Sequence, residues 1–506
     1  MRSAVVTSHR SARRAVTVGS IVASMIGSLM IAAAAPAAAA ACPSAGGSTL
    51  KPVTAPAGAE VIVAGYGWGH GMGMSQYGAQ GAARLGCNHV KILSTYYRDT
   101  HLDKPAMPAP VRLTLLTGGS RATVVAQEGK VTWAANGVAA VPQARGETWT
   151  VVRRSKDGRT ASGGVALVDA KGTQRAWVGD TVQLTASYSG SLVRIRSFKG
   201  TSTSASSDML TRYDRAVFTG SVDGLSTRQW IVASGGRTAA QKYLAGLAEV
   251  PLLWPQEALR AQVVAARTFL YSKYSDGLKA YSLAVTTADQ VYAGAKREDE
   301  DARFGGHWRN AVDATAGEVV VTRAGDPITA MYSSSMGGYS EDRIFSYGNP
   351  AFSYLKAVDD SRWDLASDNP SRSWSVGYTR ARFAAELGFA SISEVRVGAR
   401  GSAARLAGFR VTGVRNGRGV TLNYTGMKMR SILGLRSPGI TVQLASASGP
   451  PAAKPTPTTK PTPTTTPTTK PATPKPSTVK KLRRLAIWDK RADLTKDGRP
   501  AGHSGS

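Results

Sequence analysis

The sequence predicts an α+β fold: an antiparallel, β-rich body around one central buried helix. Three observations carry that expectation. Over residues 110–198, short runs rich in Val, Thr and aromatics (VRLTLLT, ATVVAQ, VTWAA, TWTVVRR, GVALVDA, VQLTASY, LVRIRSF) are punctuated by Gly, Asp and Ser, the pattern of antiparallel strands. Over residues 255–274, a helical stripe of Leu259, Val263, Ala266, Leu270 and Tyr274 is flanked by Ala261, Val264 and Thr268. A helix apolar on all sides belongs inside a core. Residues 450–476 are Pro, Thr and Lys with little else, a composition that forms an extended linker and buries nothing.

The 506 residues allow two or three domains, and the 42% hydrophobic fraction permits a large core. A formal charge of +30 calls for an anionic partner, which by itself admits nucleic acid, a membrane surface or an anionic wall. The N-terminus chooses among them. Arg2, Arg10, Arg13 and Arg14 precede an apolar run over residues 15–35 and small residues to Ala41, so residues 1–41 read as a secretory signal peptide. Ala and Gly dilute the run, which speaks against a retained membrane anchor. A secreted, wall-associated chain has no nucleic-acid partner. Its charge, including the basic tail 479–506 beyond the 446–478 linker, meets anionic wall polymers. Within that tail, Asp493, Thr495, Asp497 and Gly498 resemble half a calcium loop but lack the later acidic ligand.

Cys42 follows Ala41 where a lipoprotein cysteine would stand, without Leu or Val three residues earlier. If it is not lipidated, Cys42 and Cys87 are the two cysteines of an exported chain and form one disulfide. Residues 61–63 begin a strand that runs into GYGWGHGMGMSQYGAQGAARLG, residues 65–86. Glycine at every second position from Gly65 to Gly73 excludes a helix. Extended, the stretch would show one bare face, open to close approach by backbone or ligand, and a second face carrying Tyr66, Trp68, His70, Met72 and Met74. Either it packs as a glycine-rich strand, or a sugar ring lies on Tyr66 or Trp68. No GKS or GKT follows, so it is not a phosphate loop. Ser75 caps a small-residue helix that ends at Gly86. Apolar residues Val90, Ile92, Leu93, Tyr96 and Tyr97 follow, and Pro105, Pro108 and Pro110 mark a boundary.

Past the strand runs, β pattern turns helical near Thr238. Pro255 suits the first position of the long helix. Glu257 in its first turn has two readings. One is a capping-box Glu, incomplete because Trp254 holds the cap position. The other is a general acid, which at neutral pH requires burial to outweigh the helix N-terminus. Residues 285–294 suggest a strand and turn, 307–316 a helix, and 318–332 two strands about Gly325-Asp326-Pro327. SSSMGGYSED, residues 333–342, reads as a polar turn or as a source of hydroxyls and close N–H groups. No G-x-S-x-G elbow accompanies it. The histidines lack ligand-like spacing, so no metal is assigned.

Three segments together resemble the stage II sporulation protein D family, also called the amidase-enhancer family: WPQEALRAQVVAARTF, YSSSMGGYSED and GWGHGMGMSQYGAQGAA. TTADQVYAG, AVDATAGEVV and TGMKMRSILGLRSP add to the likeness, which covers roughly residues 65–444. In typical members the GHG-type segment closes the domain, whereas here it comes first. That order looks like a circular permutation, with residues 42–110 as the permuted segment, 111–200 a β-rich part and 201–445 the sporulation protein D-like body. The permutation predicts that residues 65–97 pack against the helix of Glu257, and the Cys42–Cys87 bridge would pin them. The resemblance implies action on peptidoglycan, either as a lytic transglycosylase cutting peptide-free glycan strands or as a non-catalytic activator of a cell-wall amidase. In the lytic reading Glu257 is the acid. Gln262, Arg267, Tyr292, Ser335, Gly337, Gly338, His70, Gln76 and Trp68 are the candidates for holding sugar. Ser340 stands where members often carry Thr, and keeps the hydroxyl. Some members bind a metal near the segment matching TTADQVY, but Asp289 stands there without a nearby Cys. No metal or cofactor is implied.

Overall fold

The computed structural model describes residues 42–444, apart from 50–55, 57, 108, 136–137, 158–162, 189, 276–281, 344–351 and 401–406. The expected signal peptide, the linker and the basic tail with its partial calcium loop lie outside the described residues.

Two antiparallel sheets share one apolar interior over residues 111–231. One has the order 174–178, 165–168, 148–153, 121–126, 193–198, 207–211. The other runs 111–119, 224–231, 215–221, 183–187, 131–135, 138–143, with Leu283–Ala284 added in parallel beside 111–119. Strict alternation of buried and partly buried residues in Arg121–Ala126 and Gly224–Ile231 shows why the period-two pattern was readable. Trp133, Trp149 and Phe218 stack at the centre. Val138–Gln143 and Gln174–Val178 are strands that the sequence pattern did not single out.

Among the described residues the helices are α1 (Gln76–Arg84), α2 (His89–Tyr96), α3 (Ala239–Ala245), α4 (Gln256–Ser275), α5 (Ala295–Arg303), α6 (His307–Ala314), α7 (Ser361–Leu365), α8 (Arg380–Glu386) and α9 (Gly426–Leu433). Helix α4 occupies the middle. Leu259, Val263, Ala266, Leu270 and Tyr274 enter the core shared with the sheets. Ala261, Val264 and Ala265 enter a second core with α1, α2 and Trp363. The all-round apolar helix is therefore buried between two cores. The molecule is α+β, as expected.

Three expectations need correction. Gly67, Gly69, Gly71 and Gly73 all have positive φ, from 68° to 116°, so Val61–Tyr66 is a strand but the following stretch is a chain of left-handed turns. Residues 285–294 form no strand. The Asp289 carboxylate accepts the Ala284 N–H at 2.8 Å and its own N–H donates to Thr286 O, closing turns instead. Of the two strands over 318–332, Val319–Thr322 forms, pairing with Thr100–Asp103, while the second shrinks to Tyr332–Ser333. Helix α5, AKREDEDAR, carries no apolar stripe. Its buried Asp301 accepts the Trp308 and Arg309 N–H groups at 2.8 and 2.9 Å, capping α6.

A third core closes the molecule. Val61–Tyr66 is the central strand between Ser373–Tyr378 and Ile440–Leu444, packed beside α8, α9 and the three-stranded sheet of Ser391–Arg400, Ala407–Arg415 and Arg418–Thr425.

Candidate functional site

The glycine-rich segment is placed by close approach. A Cβ on Gly73 would lie 2.0 Å from Met331 O, and one on Gly69 would lie 2.6 Å from Ser333 Cβ. Only glycine permits both the backbone conformation and this contact. The segment thereby enters a parallel pairing of Met74–Ser75 with Tyr332–Ser333. Ser75 Oγ then accepts the Gly78 N–H at 3.0 Å and starts α1. Gln76, the first residue of α1, donates to Gln262 Oε1 of α4 at 3.3 Å. Residues 65–97 thus pack on the helix of Glu257, across 186 positions of sequence at this contact. Cys42 and Cys87 are disulfide-bonded.

Two glutamates flank this junction, in opposite electrostatic settings. Glu257 Oε2 accepts the His89 backbone N–H at 2.8 Å and lies 2.9 Å from His89 Nδ1. The other ring nitrogen is 3.1 Å from Glu318 Oε2, and Arg260 pairs with Glu257 Oε1. Burial pulls Glu257 upward, but the His89 backbone, the His89 ring and Arg260 outweigh it and hold the carboxyl below its ordinary value. The condition for an acid at this position, that burial should win, is not met. Glu257 joins α4 to the N-terminus of α2.

Glu249 is the reverse case, and sequence reasoning passed over it. It sits in the connection between α3 and α4. Its Oε1 accepts the Val291 N–H at 2.6 Å, and the Gln76 and Tyr332 side chains also favour its charged form. Among the described residues no cation is one of the groups acting on it. Burial outweighs these influences and raises the carboxyl above its ordinary value, while the residue keeps partial exposure. The signal was available: Glu249 is the lone charge in the apolar run GLAEVPLLWP, residues 246–255. Beside the junction, Tyr77 and Trp254 rings meet at 5.0 Å.

The remaining candidates divide. Gln76, which acts on Glu249, and its partner Gln262 are both buried. Trp68 is 37% exposed, with the Arg436 guanidinium 5.4 Å over its ring. The others carry structure. Arg267 is fully buried and donates to Glu318 O at 3.0 Å and Val312 O at 3.2 Å. Burial lowers its pKa to about 10. Tyr292 is buried and stacked on Tyr243 at 5.4 Å. Ser335 is buried, pairs through its backbone with Trp68, and accepts from Asn369 Nδ2 at 2.6 Å. Gly337 has room for no Cβ against Arg372 O and Gly67 N, and Gly338 O accepts the Asp360 N–H at 3.0 Å. His70 Nδ1 accepts the Met72 N–H at 3.1 Å. Among the described residues no group of three or more His, Cys, Asp or Glu could hold a metal ion.

The family model described as "Stage II sporulation protein" matches residues 236–321, from the approach to α3 through the strand Val319–Thr322. The chain is 35% identical over 130 residues to the amidase enhancer of Bacillus subtilis (strain 168), covering 25% of this chain and 15% of that protein. It is 31% identical over 214 residues to the stage II sporulation protein D of Bacillus amyloliquefaciens, covering 39% of this chain and 58% of that protein. It is 30% identical over 160 residues to the stage II sporulation protein D of Bacillus subtilis (strain 168), covering 29% of this chain and 45% of that protein. In each case the chain spans less than two thirds of the relative.

Proposed function

Residues 236–321 are a domain of the stage II sporulation protein D and amidase-enhancer family, and from that premise we propose that the protein acts at the cell wall as a lytic transglycosylase on peptide-free glycan strands, with Glu249 as its acid. The observation that carries the reading is the Glu249 setting: a partly exposed carboxyl whose protonated form burial favours. Such a group can give a proton to the glycosidic oxygen between N-acetylmuramic acid and N-acetylglucosamine. As that C1–O bond breaks, the Glu249 carboxylate accepts the proton of the muramic 6-hydroxyl, whose oxygen closes on C1. The product is a 1,6-anhydro end. Ordinary glycosidases need a second carboxylate for water or for a covalent intermediate. Here the substrate supplies the second nucleophile, so one acid suffices. Trp68 supports the reading as a platform for a sugar ring.

The second reading is a non-catalytic activator of a cell-wall amidase, favoured by the likeness to the amidase enhancer of Bacillus subtilis. It needs binding alone and no raised carboxyl. In either reading the chain is exported through residues 1–41 and its basic tail holds anionic wall polymers.

The test incubates residues 42–506 with peptide-stripped glycan strands and reads 1,6-anhydro ends by mass spectrometry. Glu249→Gln is expected to lose product by about 10²–10⁴-fold, while Glu257→Gln retains it. Loss in Glu257→Gln with Glu249→Gln active returns the acid to Glu257. No product from wild type, with strand binding intact, makes the protein an activator.

A further inference from the structure

The sheet that contains Gly224–Ile231 has an outer face that the site does not use. One row of side chains crosses five of its strands. Antiparallel pairing sets Thr132 beside Ser187, Ser187 beside Arg215, Arg215 beside Trp230 and Trp230 beside Arg112. The next row holds Thr185, Val217, Arg228 and Thr114. The period of two that sends Ala216, Phe218 and Ile231 into the core sends these residues the other way. Neither row contains Asp or Glu, and Asp214, next to Arg215, pairs with Lys242 at 3.4 Å. The Arg215 and Arg112 guanidiniums lie instead 5.0 and 5.1 Å from the Trp230 ring, one from each flanking strand. Stacking holds a guanidinium in place and leaves its N–H edges for another acceptor. Among the described residues neither Arg215 nor Arg228 has a carboxylate partner. Continuous with the second row at Thr185 is an open basin of about 480 Å³, lined by Ala134, Ala135, Thr181, Val182, Gln183 and Thr185. Its lining is uncharged.

We propose that this face docks an anionic wall polymer in which phosphodiesters alternate with hydroxylated units, the arginines taking the phosphates and the basin taking the units between them. The choice of a wall polymer rests on the cell-wall reading; Glu249 has no part in it. A phosphodiester offers two free oxygens to the guanidinium fork. Arg215 and Arg112 stand two strands apart, about 10 Å, and Arg228 lies about 7 Å from Trp230 along the middle strand. One small anion does not span that distance, whereas a chain with repeated charges does. The Ser and Thr hydroxyls in both rows, and the uncharged basin beside them, suit the neutral part of such a chain. A polymer with a carboxylate on every unit would have to lay charge in the basin. This face is separate from the basic tail, and it adds a fixed geometry to what the tail offers by composition.

The test measures binding of residues 42–506 to poly(glycerol phosphate) over a range of salt concentrations. The tail gives every variant the same background. Arg215→Gln combined with Arg228→Gln is expected to weaken binding about ten- to hundredfold. It should also make the dependence of log affinity on log salt shallower by about one per arginine lost. Lys171→Gln combined with Lys199→Gln makes the same charge change in turns of the other sheet and should leave both quantities nearly unchanged. Trp230→Leu keeps every charge but releases the stacked arginines, so it should weaken binding with the salt slope kept; should it not fold, Trp230→Phe serves in its place. The arginine double variant should still yield 1,6-anhydro ends at the wild-type rate, which keeps this test apart from that of the acid. Equal losses in the two double variants would reduce the face to net charge and overturn the proposal, as would no loss in the arginine variant. An unaltered affinity in the Trp230 variants overturns the role of the stack. Polyglutamate, or vesicles containing phosphatidylglycerol, bound as tightly at equal charge would overturn the choice of partner.

Discussion

Glu249 and Glu257 carry the same side chain eight positions apart in sequence, and their neighbours give them opposite tasks. Desolvation acts on both. At Glu257 it is outweighed by a main-chain N–H, an imidazole and a guanidinium; at Glu249 three neutral groups leave it in control. The position of Glu257 at the helix start could be read from sequence. Its charge state could not, because it depends on His89, 168 positions away. Stability should therefore depend on pH through Glu257. Its carboxyl is lowered on folding, so its contribution is complete above its ordinary value near 4.5 and is lost as pH falls through the folded value. Glu257→Gln is expected to cost about 1–2 kcal/mol at pH 7, with the difference from wild type shrinking below about pH 4. Urea unfolding of both proteins across pH checks this. A penalty of constant size would mean that packing, not charge, is what the substitution disturbs.

At the scale of the element, the glycine-rich segment shows what a pattern can and cannot say. Its alternation excluded helix correctly and announced a bare backbone surface. The conformation was misread as extended, because every-second glycine serves a strand with one bare face and a succession of left-handed turns equally well. The φ values decide, and they are set by contacts with residues 331–335 that no local pattern contains. Helix α1 is the complementary case. Its Gly78 and Gly81 have ordinary helical backbone, yet a Cβ there would lie 2.0 Å from the Tyr96 hydroxyl or 1.8 Å from Trp363 O, so they are glycine for packing alone. Gly73 combines both demands, whereas Gly325 has φ of 89° with nothing within 4 Å of its Cβ position. Gly325→Ala is therefore expected to cost about 1 kcal/mol from backbone strain alone. Gly73→Ala should cost at least about 3 kcal/mol, since Met331 O must also move. Thermal unfolding of the two variants side by side separates the effects, and equal losses would show that the close approach is readily relieved.

At the scale of the whole molecule, the strands and α4 were legible because each encodes its burial in its own periodicity. Helix α5 was not, since its place is fixed by the Asp301 cap on α6 and not by an apolar stripe. The likeness of the first segment to one that normally ends the domain did foretell a long-range contact, and the segment is found against α4. The consequence is that residues 42–104 serve as an internal part of the remaining fold. They supply Ile92, Leu93, Tyr96 and Tyr97 to the core against Ala261, Val264 and Ala265. They provide the partner of Val319–Thr322. They also insert Val61–Tyr66 between two strands that would otherwise be unpaired edges. The two sheets of residues 111–231, with their own aromatic centre, do not depend on them in this way. Residues 105–444 alone should accordingly keep strand signal in circular dichroism but bind a hydrophobic dye, self-associate and unfold without a sharp transition. Adding residues 42–104 as a separate disulfide-bonded chain should restore a cooperative transition near that of the intact protein, because the α4 face and both sheet edges are refilled without any covalent link. A sharp transition from residues 105–444 by themselves would mean that the segment is an attachment, and the contacts around Gln76 and Gln262 would then have to form on a body already folded.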